Sequence, residues 1–359
     1  MEVGIVGLPN AGKSTLFNAI TKGNAQIGAY AFTTIDSNSG VARIPDKRLD
    51  EITSIIKPKK KVQTSVKFVD IAGLVKGASK GEGLGNRFLS YIRQVDAIAH
   101  IVRCFPSENQ PDVHPAEDIE TVNLELILAD WEVVVRRLEK VSKEAKAGDK
   151  LSQAETDALI KVETALKEGT PVRLANLSDD EEKAIAPVSL LTDKPCIYVA
   201  NMHEEDIKNV SNEYYLQVDA IAKDEKAEVL RISAEIESEI AELTEEEKEA
   251  FFEDLGIEES GLDKLIHASY MLLDLITFYT AGPEECRAWT ARKGAKAPEA
   301  AGKIHTDIQR GFIKAEVVNW ELLIEDGSWN AAKEKGHLRM EGKDYIIKDG
   351  DSVFFKFNV

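Results

Sequence analysis

Short apolar runs recur along the first part of the chain. Val3 to Val6, Val66 to Val69, Ile98 to Val102, Ile197 to Ala200 and Val229 to Ile232 are rich in β-branched residues, as buried strands are. Helix-forming stretches separate them, which implies a mainly parallel sheet with helices on both faces and ligand loops at the carboxyl ends of the strands. The pattern changes where Ile127, Trp131, Val134, Leu138, Val141 and Ala145 recur at steps of four and three, the seam of a long helix. Gly148-Asp149 ends that helix, and a second pattern follows through Leu159, Val162 and Leu166, so an inserted antiparallel helical arm is expected. Glu235 to Glu259 reads as a solvated helical face. Beyond Gly282-Pro283 the texture turns to short β-like segments, with a turn at Asp349-Gly350-Asp351 and alternation at Val353, Phe355 and Phe357. The expected division is a nucleotide-binding domain at 1–122 and 195–277, an arm at 123–194 and a small C-terminal domain at 278–359.

The loop after the first strand carries the most specific chemistry. Gly7-Leu8-Pro9-Asn10-Ala11-Gly12-Lys13-Ser14 has the spacing of a phosphate-binding P-loop. In that arrangement the amides of Asn10, Ala11, Gly12, Lys13, Ser14 and Thr15 converge on phosphate oxygens. The Lys13 ammonium reaches the β- and γ-phosphates, and the Ser14 hydroxyl is left for Mg²⁺. A glycine-rich turn alone would need neither the Lys-Ser pair nor a helix former behind it. Asp70-Ile71-Ala72-Gly73 follows a strand, where a P-loop hydrolase places an acid for the Mg²⁺ shell and a glycine N–H toward the γ-phosphate. Between the two lies Phe32-Thr33-Thr34-Ile35-Asp36, in which Thr34 is the expected switch-loop ligand of Mg²⁺.

The base site departs from guanine readers, which place Asn-Lys-x-Asp after a strand. Here the sequence is Asn201-Met202-His203-Glu204, so the lysine is missing and the acid is one methylene longer. Asn201 accepting from the adenine N6 amine, Met202 packing near the ring, Glu204 swung aside, and Ser233-Ala234 supporting the base through backbone N–H groups together favour ATP over GTP. A GTPase of ordinary specificity, with Glu204 still reading guanine, remains the alternative. Leu74 stands where many GTPases carry the glutamine that orients water, so slow turnover is expected. Asn10 has the place of an asparagine that holds K⁺ in cation-activated relatives, which makes K⁺ stimulation a further expectation.

Composition narrows the partners. The 359 residues carry a formal charge of −18, which argues against DNA. The deficit lies in residues 1–281, with 32 basic and 50 acidic side chains, whereas residues 282–359 have 13 of each. Seven cations, Arg287, Arg292, Lys293, Lys296, Lys303, Arg310 and Lys314, cluster between Cys286 and Lys314 against two acids. No apolar run approaches the roughly 20 residues of a membrane span, and Cys104, Cys196 and Cys286 lack metal spacing. These features predict a soluble, cytoplasmic protein with buried free thiols and no membrane partner.

With these residues in view, the chain resembles the YchF/Obg-like ATPase family over essentially its full length. The resemblance rests on the P-loop, on the block from Asp70 to Asn86, on Phe278-Tyr279-Thr280-Ala281-Gly282, and on Ala300-Ala301-Gly302-Lys303-Ile304-His305-Thr306-Asp307. It implies a P-loop domain of the Obg type, an inserted coiled-coil-like arm and a C-terminal TGS domain of β-grasp fold. It also implies a slow Mg²⁺-dependent ATPase switch whose partners are ATP and the ribosome or ribosomal RNA. A nucleotide-gated ribosome- or RNA-binding module with incidental turnover is the other reading. Relatives that carry a histidine after the Asp-Ile-Ala-Gly block differ here, where Ser79 stands in that position.

Overall fold

The computed structural model describes residues 1–25, 39–71, 84–107 and 110–358. In chain order the first elements are β1 (Glu2–Val6), α1 (Lys13–Ala25), β2 (Ser39–Arg43), α2 (Lys47–Ile56), β3 (Lys60–Val62), β4 (Ser65–Asp70), α3 (Leu84–Gln94) and β5 (Ala97–Arg103). There follow α4 (Pro115–Lys146), α5 (Lys150–Lys167), α6 (Asp179–Ile185), β6 (Cys196–Asn201), α7 (Glu213–Asp224), β7 (Glu228–Ile232), α8 (Ala234–Ile240), α9 (Glu245–Leu255) and α10 (Gly261–Leu272). The chain ends through β8 (Leu275–Ala281), β9 (Glu285–Arg292), α11 (Ala297–Ile304), α12 (Thr306–Arg310), β10 (Phe312–Asn319), α13 (Trp320–Asp326), α14 (Trp329–Glu334), β11 (Arg339–Glu341) and β12 (Asp351–Phe357). All five strands expected from the apolar runs are formed, as β1, β4, β5, β6 and β7.

The chain divides into two compact units, residues 1–42 with 67–269 and residues 43–66 with 270–359. The first holds a six-stranded sheet in the order β2-β4-β1-β5-β6-β7, in which β4, β1, β5, β6 and β7 run parallel. Every residue of β5 and β6 is buried, as expected for central parallel strands covered on both faces. The core on one face gathers Ile92, Ile98, Val102, Leu126, Tyr198 and Val218.

The helical arm forms as an antiparallel pair. Helix α4 spans 32 residues with Pro115 at its first turn, and α5 returns after Gly148, whose φ of +95° suits a turn residue without a Cβ. Val134, Val141, Leu159, Val162 and Leu166 bury the seam. Trp131, expected on it, is 38% exposed, because a step of four in a 3.6-residue helix turns it off the narrow face that Ile127 and Val134 share. Asp130 instead points inward. It is fully buried and accepts from Leu191 N at 2.8 Å, Thr192 N at 2.7 Å and Thr192 Oγ1 at 2.8 Å, anchoring the arm to the segment that enters β6.

The second unit contains a six-stranded mixed sheet in the order β11-β10-β12-β8-β9-β3, with β12 and β8 parallel and β8 and β9 antiparallel. Its boundaries differ from the expected ones. It begins at Tyr270 rather than at residue 278, and it takes in residues 43–66 from the middle of the nucleotide-binding segment. The reason is burial: Leu49 and Ile52 of α2 are wholly buried in one core with Tyr279, Cys286, Val318 and Leu323. At about 1.5–3 kcal/mol for each such side chain, that core outweighs proximity in sequence. Asp46 caps α2 by accepting from Arg48 N, and it also accepts from the Tyr279 hydroxyl at 2.6 Å. In β12, Val353 and Phe355 are buried, but Phe357, expected to alternate inward with them, is 46% exposed at the strand's end.

Candidate functional site

The expected nucleotide-contacting loops that are described lie along one edge of the first sheet. The P-loop leaves the carboxyl end of β1, Asp70 closes β4, Asn201 closes β6 and Ser233 follows β7. In an open parallel sheet this is the edge where ligands bind, because strand ends and helix starts meet there. Thr34 and Gly73, expected as a Mg²⁺ ligand and a γ-phosphate contact, lie outside the described residues, as does Leu74.

The P-loop backbone turns sharply into α1. Asn10 has φ +65°, the left-handed region that asparagine tolerates better than most side chains, and Gly12 has φ +89°. A Cβ on Gly7 would stand 2.3 Å from the Ile101 carbonyl oxygen, so the loop starts pressed against β5. Leu16 N closes the first helical turn on Gly12 O at 3.0 Å. Ala11 N donates to Leu8 O at 3.4 Å, whereas the amides of Ser14 and Thr15 have no backbone partner among the described residues, and both residues are solvent-exposed. That leaves outward N–H groups at the positive end of a 13-residue helix, an arrangement suited to phosphate oxygens.

Lys13 is buried and its ammonium donates to the Leu8 carbonyl at 2.6 Å, folding across its own loop. Burial lowers its pKa, and the neighbouring Asp70 carboxylate works against that shift. Asp70 is raised by burial and held down by Lys13. One carboxylate oxygen, Asp70 Oδ1, is buried without a hydrogen-bond partner among the described residues. A buried anionic oxygen left bare is costly unless a cation meets it, so Asp70 with the exposed Ser14 hydroxyl fits a hard divalent ion such as Mg²⁺. Among the described residues no cluster of three His, Cys, Asp or Glu side chains suggests another metal centre.

Asn201 bridges two backbone segments of the site. Its Nδ2 donates to Ala11 O at 2.9 Å and its Oδ1 accepts from Ala234 N at 3.0 Å. The side chain is 3% exposed. Both polar ends are engaged by backbone, so Asn201 clasps the P-loop to the start of α8. The same clasp occupies the Ala234 N–H that was expected to support the base, while the Ser233 hydroxyl caps α8 by accepting from Ile236 N. The Met202 side chain, expected beside the ring, is 2% exposed and belongs to the core with Ala200 and Val218. Glu204 is exposed on a single 3₁₀ turn, and its carboxylate has no partner among the described residues. Ala11, Gly12, Asn201 and Ala234 are therefore brought together.

Comparison with known proteins bears on this site. Residues 2–137 match the family model MMR_HSR1, described as a 50S ribosome-binding GTPase. Residues 275–358 match YchF-GTPase_C, described as a protein of unknown function (DUF933). A Bacillus subtilis protein named ribosome-binding ATPase YchF is 53% identical over 364 residues, covering the whole of both chains. The chain belongs to the YchF family. The Escherichia coli O157:H7 protein of the same name is 50% identical over 362 residues, covering 100% of this chain and 99% of its own. A solved structure described as the Schizosaccharomyces pombe YchF GTPase superposes with a TM-score of 0.89 at 36% identity, over 99% of this chain and 97% of that one. The YchF fold, a parallel nucleotide-binding sheet followed by a C-terminal domain, is thus shared along the length of the chain.

Among the described residues no helix is long and apolar enough to cross a membrane. Cys104, Cys196 and Cys286 are free and buried, as their apolar surroundings predicted.

Proposed function

We propose that this YchF-family protein is a Mg²⁺-dependent ATPase that hydrolyses ATP to ADP and phosphate slowly and associates with the ribosome as a nucleotide-dependent switch. The observation that carries the reading is the open start of α1 with buried Lys13 and the bare Asp70 Oδ1 beside it. In this reading the α1 amides and Lys13 bind and orient the triphosphate, and Ser14, Thr34 and Asp70 would hold the metal. The metal these residues would hold would supply charge neutralisation of the triphosphate. Gly73 N–H would face the γ-phosphate, and Asn10 would be the residue toward a K⁺ ion that stimulates turnover. The 43–66 and 270–359 unit is read as a TGS domain of β-grasp type, and the α4–α5 pair as the arm that transmits the nucleotide state.

ATP preference is supported by Glu204, whose exposed, unheld carboxylate gives no fixed acceptor pair for guanine N1–H and N2. The relatives named as ribosome-binding ATPases point the same way, whereas the yeast structure described as a GTPase favours the second reading, ordinary GTP specificity. A calorimetric titration of the full chain with Mg·ATP and Mg·GTP separates them. Tighter ATP binding that Lys13→Ala abolishes is expected. Equal or tighter GTP binding would overturn the ATP assignment, and comparing turnover in K⁺ and Na⁺ at equal ionic strength tests the Asn10 site.

A further inference from the structure

The C-terminal unit carries a concave site that the nucleotide reaction does not use. A pocket of about 550 Å³ opens between the end of β9, the turn at Gly294 and helices α11 and α12, and Arg292, Lys293, Lys303 and Gln309 line it. Its size falls within the roughly 300–1,000 Å³ of pockets that take nucleotide-sized ligands. The turn closes through Ala295 N donating to Arg292 O at 3.0 Å, with Gly294 at φ +89° and open space where its Cβ would be. On the opposite wall Gly302 has no side chain, and Gln309 Oε1 lies 2.5 Å from where a Cβ would stand. The Gln309 amide therefore rests on the helix backbone at the pocket wall.

The lining of this pocket is rich in cations. Of the seven cations between residues 286 and 314, Arg287 pairs with Glu285 and stacks on Trp289 at 4.2 Å, and Lys296 pairs with Asp344 at 2.8 Å. Arg292, Lys293 and Lys303 are exposed and have no ion pair among the described residues. The one acid lining the pocket, Glu299, accepts from the Lys296 amide at 2.8 Å, so its carboxylate is turned to the start of α11. In a chain of net charge −18, three unpaired cations converging on one hollow make a local anion site.

We propose that this pocket binds backbone phosphates of an RNA strand, with Arg292, Lys293 and Lys303 each meeting phosphate oxygens and Gln309 hydrogen-bonding to sugar or phosphate. The identity of the polyanion as RNA rests on the ribosome-associated reading above; the site itself rests on the pocket and its charges. Three phosphate contacts to a single strand imply a slope of about −2 for log affinity against log salt.

The test uses the full chain with the triple variant Arg292→Gln, Lys293→Gln, Lys303→Gln. A control of equal charge change, Lys47→Gln, Lys333→Gln, Lys343→Gln, alters exposed cations outside the pocket. Anisotropy with a labelled 20-nucleotide oligouridylate across a salt series, and cosedimentation with purified ribosomes, are read alongside Mg·ATP affinity as the check of folding. The expected result is at least about a tenfold loss for both oligonucleotide and ribosome in the pocket variant, with the salt slope shallower by about 2. The control should bind like the unmodified protein, and Mg·ATP affinity should not change in either variant. Equal losses in the two variants would reduce the effect to net charge and overturn the pocket. Loss of ribosome binding with oligonucleotide binding intact would assign the pocket to a ribosomal protein instead, and overturn the RNA assignment. If the unmodified protein binds the oligonucleotide through the pocket but does not sediment with ribosomes, the ribosomal reading fails while the phosphate site stands.

Discussion

Asn201 Nδ2 donates to the Ala11 carbonyl at 2.9 Å, and through the same side chain the P-loop is tied to the start of α8. Asn201→Ala would leave the Ala11 carbonyl and the Ala234 N–H without these partners. At about 1–3 kcal/mol for each buried group so abandoned, the first unit should lose roughly 2–4 kcal/mol in urea unfolding. Asn201→Asp should be at least as harmful, since a carboxylate oxygen would then face the Ala11 carbonyl oxygen.

Gly12→Ala probes the same clasp from the other side. The new methyl would stand 2.1 Å from Asn201 Nδ2, on a backbone at φ +89° that an L-residue resists by about 1–2 kcal/mol. Nucleotide affinity should fall by more than about tenfold, with the far-ultraviolet dichroism preserved. A variant that binds Mg·ATP normally would show that the clasp does not set the loop's shape.

Asp70→Asn separates the metal from the phosphates. The carboxylate charge is lost and an NH₂ replaces one of its oxygens, so the Mg²⁺ concentration giving half-maximal hydrolysis should rise by about tenfold or more. ATP binding in a metal chelator should be unchanged or tighter, because Lys13 no longer has a neighbouring carboxylate competing for it.

Two buried groups should tilt the pH dependence of stability in opposite directions. Glu237 accepts from Gly261 N at 2.7 Å and Leu262 N at 3.1 Å, yet burial pushes its carboxyl up to about 7 from 4.5. The folded form therefore holds the proton more tightly than the unfolded chain. Its contribution is fully present below pH 4.5 and is lost as pH rises through 7.

His100, buried against Tyr198, is depressed to about 3 from 6.5 by burial and by the Arg173 and Lys13 charges. Its contribution is present above pH 6.5 and is lost as pH falls toward 3. Each effect is on the order of 3–5 kcal/mol. Urea midpoints measured across this range should flatten on the alkaline side in Glu237→Gln and on the acid side in His100→Gln. Unaltered profiles would mean that water reaches these groups in the folded state.

What could be read from the sequence follows from where one period dominates. The five parallel strands β1, β4, β5, β6 and β7 are short apolar runs, and the arm follows a helical repeat, so both were legible. Strands β2 and β3 were not, because Ser39–Arg43 and Lys60–Val62 are short edge strands with no continuous apolar run. The placement of α2 depended on long-range burial of Leu49 and Ile52, which no local pattern encodes. At the site, the P-loop spacing located Lys13 and Ser14, and the strand-end rule located Asp70 and Asn201. The Asn201 clasp was not legible, because a motif gives a residue's address but not the direction of its amide. A buried asparagine opposite a glycine that cannot carry a Cβ was the available signal.

The passage of residues 43–66 into the second core has a consequence for how this architecture can be inherited. A break after Ser269 would remove the partners that cover Leu49 and Ile52 and leave the apolar face of an amphipathic helix bare in the remainder. The C-terminal unit therefore cannot be gained, lost or exchanged as an appendage by one recombination event. Any transfer would have to carry two separated stretches of gene at once, so this pair of units is bound to be inherited together.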